Sequence, residues 1–267
     1  MLILQKPEGI TPIDYWKQYR DQHLSPSTKG DVCGKLDPMA TGELLILLGE
    51  ECKQASMYRK KEKVYKFVIV VGIATDTDDI LGIVEEGMKR SPALDGDPRQ
   101  STPSHAINAI TEGLHRYATR TRQKFHNFSA INTTGVVDGE TVNKPMWWWT
   151  SNGLLDRITV PEKEIHIKNI QVLNTGTINQ VQYIKETCQR LQKVQVNKEN
   201  FRVDEILKSW DRLIESEDVD DTELMCKIEV TAHVSSGTYI RQIVRDIREE
   251  LVIPMHCTSI HRTKFVM

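Results

Sequence analysis

The chain has 267 residues, of which 39% are hydrophobic and 27% charged, and its formal net charge is -2 at pH 7. A chain of this size forms one large domain or two modest ones, and it buries an adequate core without disulfides or metal ions. The near-neutral charge excludes a global positive field, so a nucleic-acid site would have to be a local basic patch.

Cysteine usage and hydropathy indicate the compartment. The five cysteines lie far apart and include no CxxC pair, which argues against a disulfide framework or a zinc site and favours reduced thiols. The opening residues MLILQKPEG lack the basic segment and long apolar run of a signal peptide. No apolar run approaches the roughly 20 residues of a membrane helix. We therefore expect a cytoplasmic protein with no membrane partner.

The N-terminal part predicts two helices. Thr11 and Pro12 are suited to the N-cap and first helical position of a helix that extends to about His23. Thr41 is a candidate N-cap for a second helix that carries Leu44 to Leu48. This second stretch is apolar nearly all round, so the helix is expected to be buried.

The middle of the chain predicts a strand, a turn, a loop and a helix. Residues 64–71, VYKFVIVV, are rich in β-branched and aromatic residues and predict a strand, followed by an acidic turn, TDTDDILG. Residues 87–103 contain three prolines and many charges, which indicates a surface loop. Apolar residues at helical spacing predict a helix from 104 to about 121.

The C-terminal half continues with both kinds of element. Apolar residues suggest a strand over 165–172, and helical spacing predicts helices over 181–191 and 203–213. Strict alternation over 228–234 predicts a half-buried strand, and an amphipathic helix is expected over 240–251. Strands and helices alternate without regular βαβ order, so the expected fold class is α+β.

Asp37 is the only acid in an apolar passage. It lies between Leu36 and Pro38, just before the leucine-rich stretch. A carboxylate here could simply cap a turn, but an unpaired buried carboxylate is costly. Burial would raise its pKa, and an adjacent arginine would lower it. We therefore expect a partner cation.

Two other charged stretches allow more than one interpretation. TYIRQIVRDI and the residue after it place Arg241, Arg245 and Arg248 on one helix face. Spacing alone favours a solvated face, and the alternative is that this face supplies the partner of Asp37. The acidic turn TDTDD is similar to part of a calcium loop but lacks the later Glu of an EF-hand. A turn paired with an arginine fits equally well.

The basic run RKKEKVYK, residues 59–66, ends near Tyr65. Charge runs usually form solvated faces, but a tyrosine beside lysines could also stack on a base while the lysines contact phosphates. From the separate motifs the function stays undecided.

Five stretches, taken in order, resemble the TruB family of tRNA pseudouridine synthases: QKPEGIT, GKLDPMATGELLILLGE, KVYKFVIVVGIATDTDDILG, FSAI and SSGTYIRQIVRDI. The family shows a GxLDPxATGxL catalytic motif, a KxY strand followed by TDTxDxxG, and GTYIRxLxxDL. The resemblance covers residues 2 to about 182 and resumes over 226–263. It implies one catalytic domain over 1–267, with a mixed, mainly antiparallel sheet and flanking helices. A helical insertion at about 183–224 and the absence of a C-terminal RNA-binding PUA domain are also expected.

The resemblance also implies roles for single residues. Asp37 matches the family's nucleophile, Tyr65 the tyrosine that stacks on the target uracil and has been assigned a proton-transfer role, and Arg241 the arginine that pairs with the acid. Six further residues are expected to bind the substrate: Lys6, Pro7, Leu36, Lys63, Asp79 and Tyr239. The expected RNA-facing patch comprises Arg59, Lys60, Lys61 and Lys63.

The activity implied is an isomerase that converts uridine to pseudouridine in the T-loop of tRNA, at tRNA position 55. It would need no metal, no organic cofactor and no obligate protein partner. The alternatives are a tRNA-binding folding chaperone with little or no catalysis, suggested by Val32, and a metal-dependent hydrolase built on TDTDD.

The sequence departs from the family at several places. Val32 stands where a histidine is expected, and His126-Asn127 stands where a proline pair is expected. Residues 183–224, with their acidic tail, are interpreted as a surface excursion. The triplet Trp147–Trp149 is expected to pack beneath this insertion or the sheet, with a base-stacking platform as the alternative.

Overall fold

A mixed, mainly antiparallel sheet organises the chain, which the computed structural model describes over residues 1–85, 103–216 and 222–266. The strands are β1 (Leu2–Lys6), β2 (Gly30–Cys33), β3 (Thr41–Leu48), β4 (Lys63–Val71), β5 (Arg122–Lys124), β6 (Asn132–Val137), β7 (Glu140–Pro145), β8 (Glu162–Glu164), β9 (Ile167–Asn179), β10 (Leu224–Val234) and β11 (Met255–Phe265). The helices are α1 (Pro12–His23), α2 (Ala55–Arg59), α3 (Pro103–Tyr117), α4 (Met146–Ser151), α5 (Gln180–Gln192), α6 (Val203–Glu215) and α7 (Ile240–Leu251).

The main sheet has seven strands in the order β1-β3-β11-β4-β10-β9, with β2 also paired to β3. Its pairs are antiparallel except β11 with β3, which run parallel at His261 opposite Thr41 and Arg262 opposite Gly42. Two small antiparallel pairs, β5–β8 and β6–β7, lie outside it. The predicted α+β class, with a mainly antiparallel sheet and flanking helices, is confirmed.

Most of the predicted elements are present. Thr11 caps α1, because its hydroxyl accepts from the Asp14 backbone N–H at 3.1 Å. The predicted helices at 104–121, 181–191, 203–213 and 240–251 correspond to α3, α5, α6 and α7, and the strands at 64–71 and 228–234 to β4 and β10. The strand expected over 165–172 begins at Ile167 as β9. The loop predicted over 87–103 lies, apart from its last residue, outside the described residues.

The helix predicted for Leu44 to Leu48 is wrong, because this stretch forms the interior strand β3. Leu44 and Ile46 pack beneath α1 against Trp16, whereas Leu45 and Leu47 pack on the opposite face with Phe265. A strand buried on both faces is apolar at every position, so its sequence loses the alternation that distinguishes a strand from a buried helix.

Within the predicted insertion at 183–224, the described helices α5 and α6 are packed into the molecule, so this part is not a surface excursion. Trp210 of α6 and Ile184 of α5 are fully buried, and they share a second core with Val70 and Ile80. Trp210 Nε1 also donates to the Gly82 carbonyl at 3.2 Å. Most of the acidic tail lies in 217–221, outside the described residues.

Hydropathy gives no membrane element in the part of the chain that is described. None of its helices combines the length and the apolar composition that crossing a bilayer requires.

Gly42 allows the parallel contact between β3 and β11. Its φ is +104°, and a Cβ there would lie 2.2 Å from the Arg262 carbonyl oxygen. Replacing Gly42 with alanine should therefore destabilise the fold by about 3 kcal/mol or more, combining backbone strain with overpacking. Urea denaturation measures the loss.

Gly49→Ala is the matched control, since φ is also positive there, at +52°, but nothing lies within 4 Å of the added Cβ. It should cost only about 1–2 kcal/mol. Equal losses for the two variants would contradict the steric explanation.

His256 should make the fold sensitive to acid. It is buried beside Trp210, Nδ1–H donates to the Ile73 carbonyl at 2.7 Å, and Nε2 accepts from the Tyr183 hydroxyl. Burial lowers its pKa from 6.5 to about 4, so the unfolded chain binds this proton first and stability falls as pH drops from 6.5 to 4. We expect this group to remove about 2 kcal/mol of unfolding free energy between pH 7 and pH 5. His256→Asn, which keeps a donor for the Ile73 carbonyl, should lose less stability than wild type over that interval; parallel pH curves would refute the assignment.

Candidate active site

Asp37 and Arg241 form a bidentate ion pair at the centre of the site. Asp37 lies in the turn between β2 and β3, and Arg241 is the second residue of α7. Arg241 Nε donates to Asp37 Oδ2 and Nη2 donates to Oδ1, both at 2.8 Å. The partner cation expected from the sequence is therefore present, and two parallel charge-assisted bonds fix the plane of the carboxylate.

Buried acceptors hold the guanidinium in place. Arg241 Nη1 donates to the Thr77 carbonyl at 3.0 Å, and Nε lies 3.6 Å from Asp79 Oδ2. Burial opposes the charged form of Arg241, but the carboxylates of Asp37 and Asp79 outweigh it and raise its pKa. The guanidinium is a permanent charge that neutralises the acids around it.

Asp37 is the most accessible of the three acids near this arginine. Its side chain is 35% exposed, against 9% for Asp79 and 0% for Asp78. Asp79 Oδ1 accepts from the Thr77 hydroxyl and from the Leu81 backbone N–H, and burial raises its pKa to about 6. Asp37 is thus placed to meet a ligand, and Asp79 is placed to hold Arg241 and its own turn.

The turn that carries Asp37 is fixed from below by Lys6. The buried Lys6 ammonium donates to the carbonyls of Pro7, Pro38 and Ala40 at 2.7–2.9 Å. Burial lowers the pKa of Lys6 to about 7, and the charge of Asp37 opposes that shift. Pro7 itself is exposed, whereas Leu36 is buried in the main core.

Two tyrosines, Tyr65 and Tyr239, were expected at the site. Tyr239 precedes α7, and its backbone N–H donates to Gln123 Oε1 at 2.8 Å. Burial raises the pKa of Tyr239 to about 12, and the negative charge of Asp37 adds to the shift. Tyr65 is 8% exposed in β4.

A cleft of about 70 Å³ opens beside the ion pair. Its lining includes Asp37, Asp79, Phe128, Trp147, Arg202 and Arg241. Arg202, just before α6, lies over the Phe128 ring at 4.7 Å and donates to Asp76 Oδ2 at 2.8 Å. The helical insertion therefore forms one wall of the cleft. Tyr65 is not among the described residues that line it.

Asp78 forms a second charged layer behind the ion pair. Arg245 Nε lies 2.6 Å from Asp78 Oδ2, Arg248 Nε lies 3.5 Å from Oδ1, and His126 Nε2 lies 2.9 Å from Oδ2. The arginine side chains here are 4% to 12% exposed, so the interpretation as a solvated helix face is wrong. The acidic turn pairs with arginines, as one of the two interpretations expected. Among the residues described, no three His, Cys, Asp or Glu side chains converge on a metal position.

The basic run is only partly available to RNA. Lys63 is buried, and its ammonium donates to the carbonyls of Arg59 and Lys61, so the expectation that Lys63 faces RNA is corrected. Lys63 belongs to a basic run in the sequence, but it is the first residue of β4 and its side chain points into the protein. Lys60 is exposed, and Arg59 is exposed but paired with Asp31.

The tryptophan triplet is divided between two surroundings. Trp149 is fully buried, and its Nε1 donates to the carbonyls of Thr133 and Lys144, so it packs beneath the β6–β7 hairpin and not beneath the main sheet or the insertion. Trp147 lines the cleft. Val32 packs against the small core around Trp16.

Sequence reasoning assigned no site role to His126 or Arg202, and it gave Trp147 a role only through the alternative of a base-stacking platform. Arg202 reaches the cleft from a segment that gave no local signal. His126 did give a signal, since it departs from the expected proline pair, but its buried contacts with Asp78 and Arg241 depend on the folded chain.

A family model shows the family of the chain, and curated relatives are similar to it over nearly its whole length. The family model described as TruB family pseudouridylate synthase, N terminal domain, matches residues 23–190. Proteins named tRNA pseudouridine synthase B from Xanthomonas axonopodis pv. citri and Vibrio cholerae serotype O1 are 26% and 25% identical over 98% of this chain. The chain spans 62% and 61% of their lengths. A solved structure titled "Crystal Structure of a Cbf5-Nop10-Gar1 Complex" matches 98% of this chain and 48% of that chain, with 14% identity and a TM-score of 0.44.

The buried Asp78 layer should be essential for stability. Asp78→Asn keeps the shape and tolerates the positive φ of 57° at this position, so it isolates the loss of charge. Two buried guanidiniums would lose their shared counter-ion, and we expect a loss of about 3–5 kcal/mol of unfolding free energy. Chemical denaturation at pH 7 measures it.

Asp31→Asn is the control for this prediction, because it makes the same chemical change in the exposed pair with Arg59. It should cost about 0–1 kcal/mol. A comparably small loss at Asp78 would show that the buried layer contributes little.

Proposed function

Because the chain belongs to the TruB family of pseudouridylate synthases, we propose that it isomerises uridine to pseudouridine in the T-loop of tRNA. The relatives named tRNA pseudouridine synthase B support tRNA as the substrate class. With tRNA as its substrate, the protein would act in the cytoplasm. We further propose that residues 1–267 act as one catalytic unit.

The observation that carries the proposal is the difference in solvent exposure between Asp37 and its partner Arg241. Arg241 is 4% exposed and holds both oxygens of a carboxylate that is itself 35% exposed at the cleft. A nucleophilic carboxylate must be ionised, oriented and open to its substrate, and this pair meets all three requirements.

The chemistry requires only the groups on the chain and the nucleotide. Asp37 adds either to the uracil ring or to the ribose C1′, the N1–C1′ bond breaks, and the base rotates. A C5–C1′ bond then forms, and the bond between Asp37 and the nucleotide breaks, which regenerates the free carboxylate. C5 loses its proton to a base or to solvent, and N1 gains a proton. Atoms and charge balance without a redox partner. By family resemblance, Tyr65 takes part in the proton transfer and Tyr239 lines the substrate pocket.

The target uridine must leave its stack before Asp37 can reach it. Extrusion of a base costs a few kcal/mol, and stacking on an aromatic side chain such as Tyr65 returns about 1–3 kcal/mol. Because Tyr65 is 8% exposed and does not line the cleft, the proposal requires the adjoining cleft wall to move when RNA binds.

Phe128, Trp147 and Arg202 line the cleft beside Asp37. Arg202 brings a positive charge to the cleft, and exposed Lys60 adds another cation on the surface. Contacts between such cations and phosphates release counterions, so RNA binding should weaken steeply with salt.

A tRNA-binding chaperone with little catalysis is the second candidate. Val32, at the position where the family resemblance expects a histidine, packs against Trp16 and has no side-chain hydrogen-bond donor. Base extrusion could therefore be weak while RNA binding persists.

Asp37→Asn separates these two candidates. The variant keeps the size of the side chain but removes the nucleophile, so pseudouridine formation should fall by about 10⁴-fold or more. Tritium release from tRNA labelled at uridine C5 measures the reaction, because C5 loses its hydrogen when it bonds to C1′. Filter binding measures RNA affinity, which should change little.

Asp21→Asn on the exposed face of α1 is the matched control and should retain wild-type activity. If the wild type releases no tritium while both variants bind tRNA as it does, the chaperone function replaces the enzymatic one.

A further inference from the structure

His126 is a buried histidine that contacts both charged layers of the site. It follows β5, is fully buried, and lies between Asp78 and Arg241. Nε2 is 2.9 Å from Asp78 Oδ2, and Nδ1 is 3.3 Å from Arg241 Nη1. Nδ1 also lies 3.1 Å from the backbone nitrogen of Phe128, whose ring lines the cleft.

These contacts define the protonation state of the ring. The Phe128 backbone N–H and the Arg241 guanidinium are donors only, so Nδ1 must accept from both. The single proton of a neutral imidazole is then on Nε2, which donates it to the Asp78 carboxylate. An imidazolium would place an N–H against a guanidinium N–H, with like charges and no acceptor between them.

The surroundings of the ring favour the same neutral form. Burial lowers the pKa of His126 well below its ordinary value of 6.5, and the charges of Arg241, Arg245 and Arg248 lower it further. Asp37 opposes this shift. Asp78, at hydrogen-bond distance, is the remaining charged group that contacts the ring.

The contact with Nδ1 completes the restraint on Arg241. Nε and Nη2 of the guanidinium donate to Asp37, and Nη1 has two N–H groups to place. One of them donates to the Thr77 carbonyl and the other is directed to His126. Without an acceptor at Nδ1, one buried N–H of Arg241 would lose its partner, and the guanidinium could rotate towards Asp79.

We propose that His126 is a positioning residue that holds Arg241, and through it the carboxylate of Asp37, in the geometry required for attack on the nucleotide. The expected effect on the reaction rate rests on the proposed isomerase function. The contact between His126 and Arg241 does not depend on that function. This role is specific to chains with a histidine here, because the proline pair expected from the family resemblance would provide no side-chain acceptor for Arg241.

Two variants separate the two nitrogens of the ring. In His126→Asn the amide oxygen lies near the Nδ1 position and still accepts from Arg241, but the donor to Asp78 is lost. In His126→Gln the terminal amide nitrogen still reaches Asp78, but the acceptor for Arg241 is lost. Both variants leave one buried partner unsatisfied, so their stabilities should fall by similar amounts.

The kinetic test uses single turnover of uridine-labelled tRNA at saturating protein. His126→Gln should lose about 10–100-fold in rate, the size of a lost hydrogen bond to a charged group, whereas His126→Asn should lose less than about 3-fold. The dissociation constant for tRNA should change less than about 2-fold in both. Equal rate losses in the two variants, or a larger loss in His126→Asn, would overturn the positioning role.

A spectroscopic test is independent of activity. In long-range ¹H–¹⁵N spectra of the ¹⁵N-histidine-labelled protein, the signals of His126 are identified by their loss in His126→Asn, and they should show a neutral Nε2–H imidazole from pH 6 to pH 8. An imidazolium or an Nδ1–H tautomer in those signals would refute the contact, whereas His256 should give a separate Nδ1–H pattern. An inactive wild type with the expected spectrum would instead refute the proposed function and leave the contact standing.

Discussion

The ion pair between Asp37 and Arg241 is the constraint on which the rest of the site depends. A buried guanidinium is tolerated only when its charge and its N–H groups are satisfied. Two residues 204 positions apart are therefore joined by a network that also includes the Thr77 carbonyl and Asp79. The fold supplies this network from the ends of β2, β4 and β5 and from the start of α7.

The charges are arranged in two layers with different exposure. In the outer layer Arg241 holds the accessible carboxylate of Asp37, and in the inner layer Arg245 and Arg248 hold the fully buried carboxylate of Asp78. Since the three arginines lie on one face of α7, the inner layer fixes the helix and thereby the outer layer. Burial and arginine partners thus distinguish the inner Asp78, which is expected to stabilise the fold, from the accessible Asp37, which is the proposed nucleophile.

The elements predicted correctly from the sequence are those that bury one face, because their apolar residues then recur with the period of a helix or a strand. Strand β10 and helices α5, α6 and α7 are of this kind, and the motif around Asp37 identified its arginine partner through family resemblance. Prediction from the sequence failed at β3, because Leu44 to Leu48 are buried on both faces and carry no periodicity. It also left the arginines of α7 undecided, since a charged helix face is the same in sequence whether it meets solvent or the TDTDD turn. His126 and Arg202 could not be placed, because their side-chain partners Asp78, Arg241 and Asp76 lie 48, 115 and 126 residues away in sequence.

The bidentate geometry also decides which part of Asp37 remains available for chemistry. A carboxylate offers about four lone-pair directions, and the two bonds from Arg241 occupy one on each oxygen. The other two point away from the guanidinium, and the 35% exposure of the side chain gives them access to the cleft. A lysine could supply the same charge but would not fix the carboxylate plane, because its ammonium has no planar fork. In the proposed reaction, therefore, Arg241 supplies the counter-charge of Asp37 and also orients its free lone pairs, and every contact that stops the guanidinium from rotating helps to maintain that orientation.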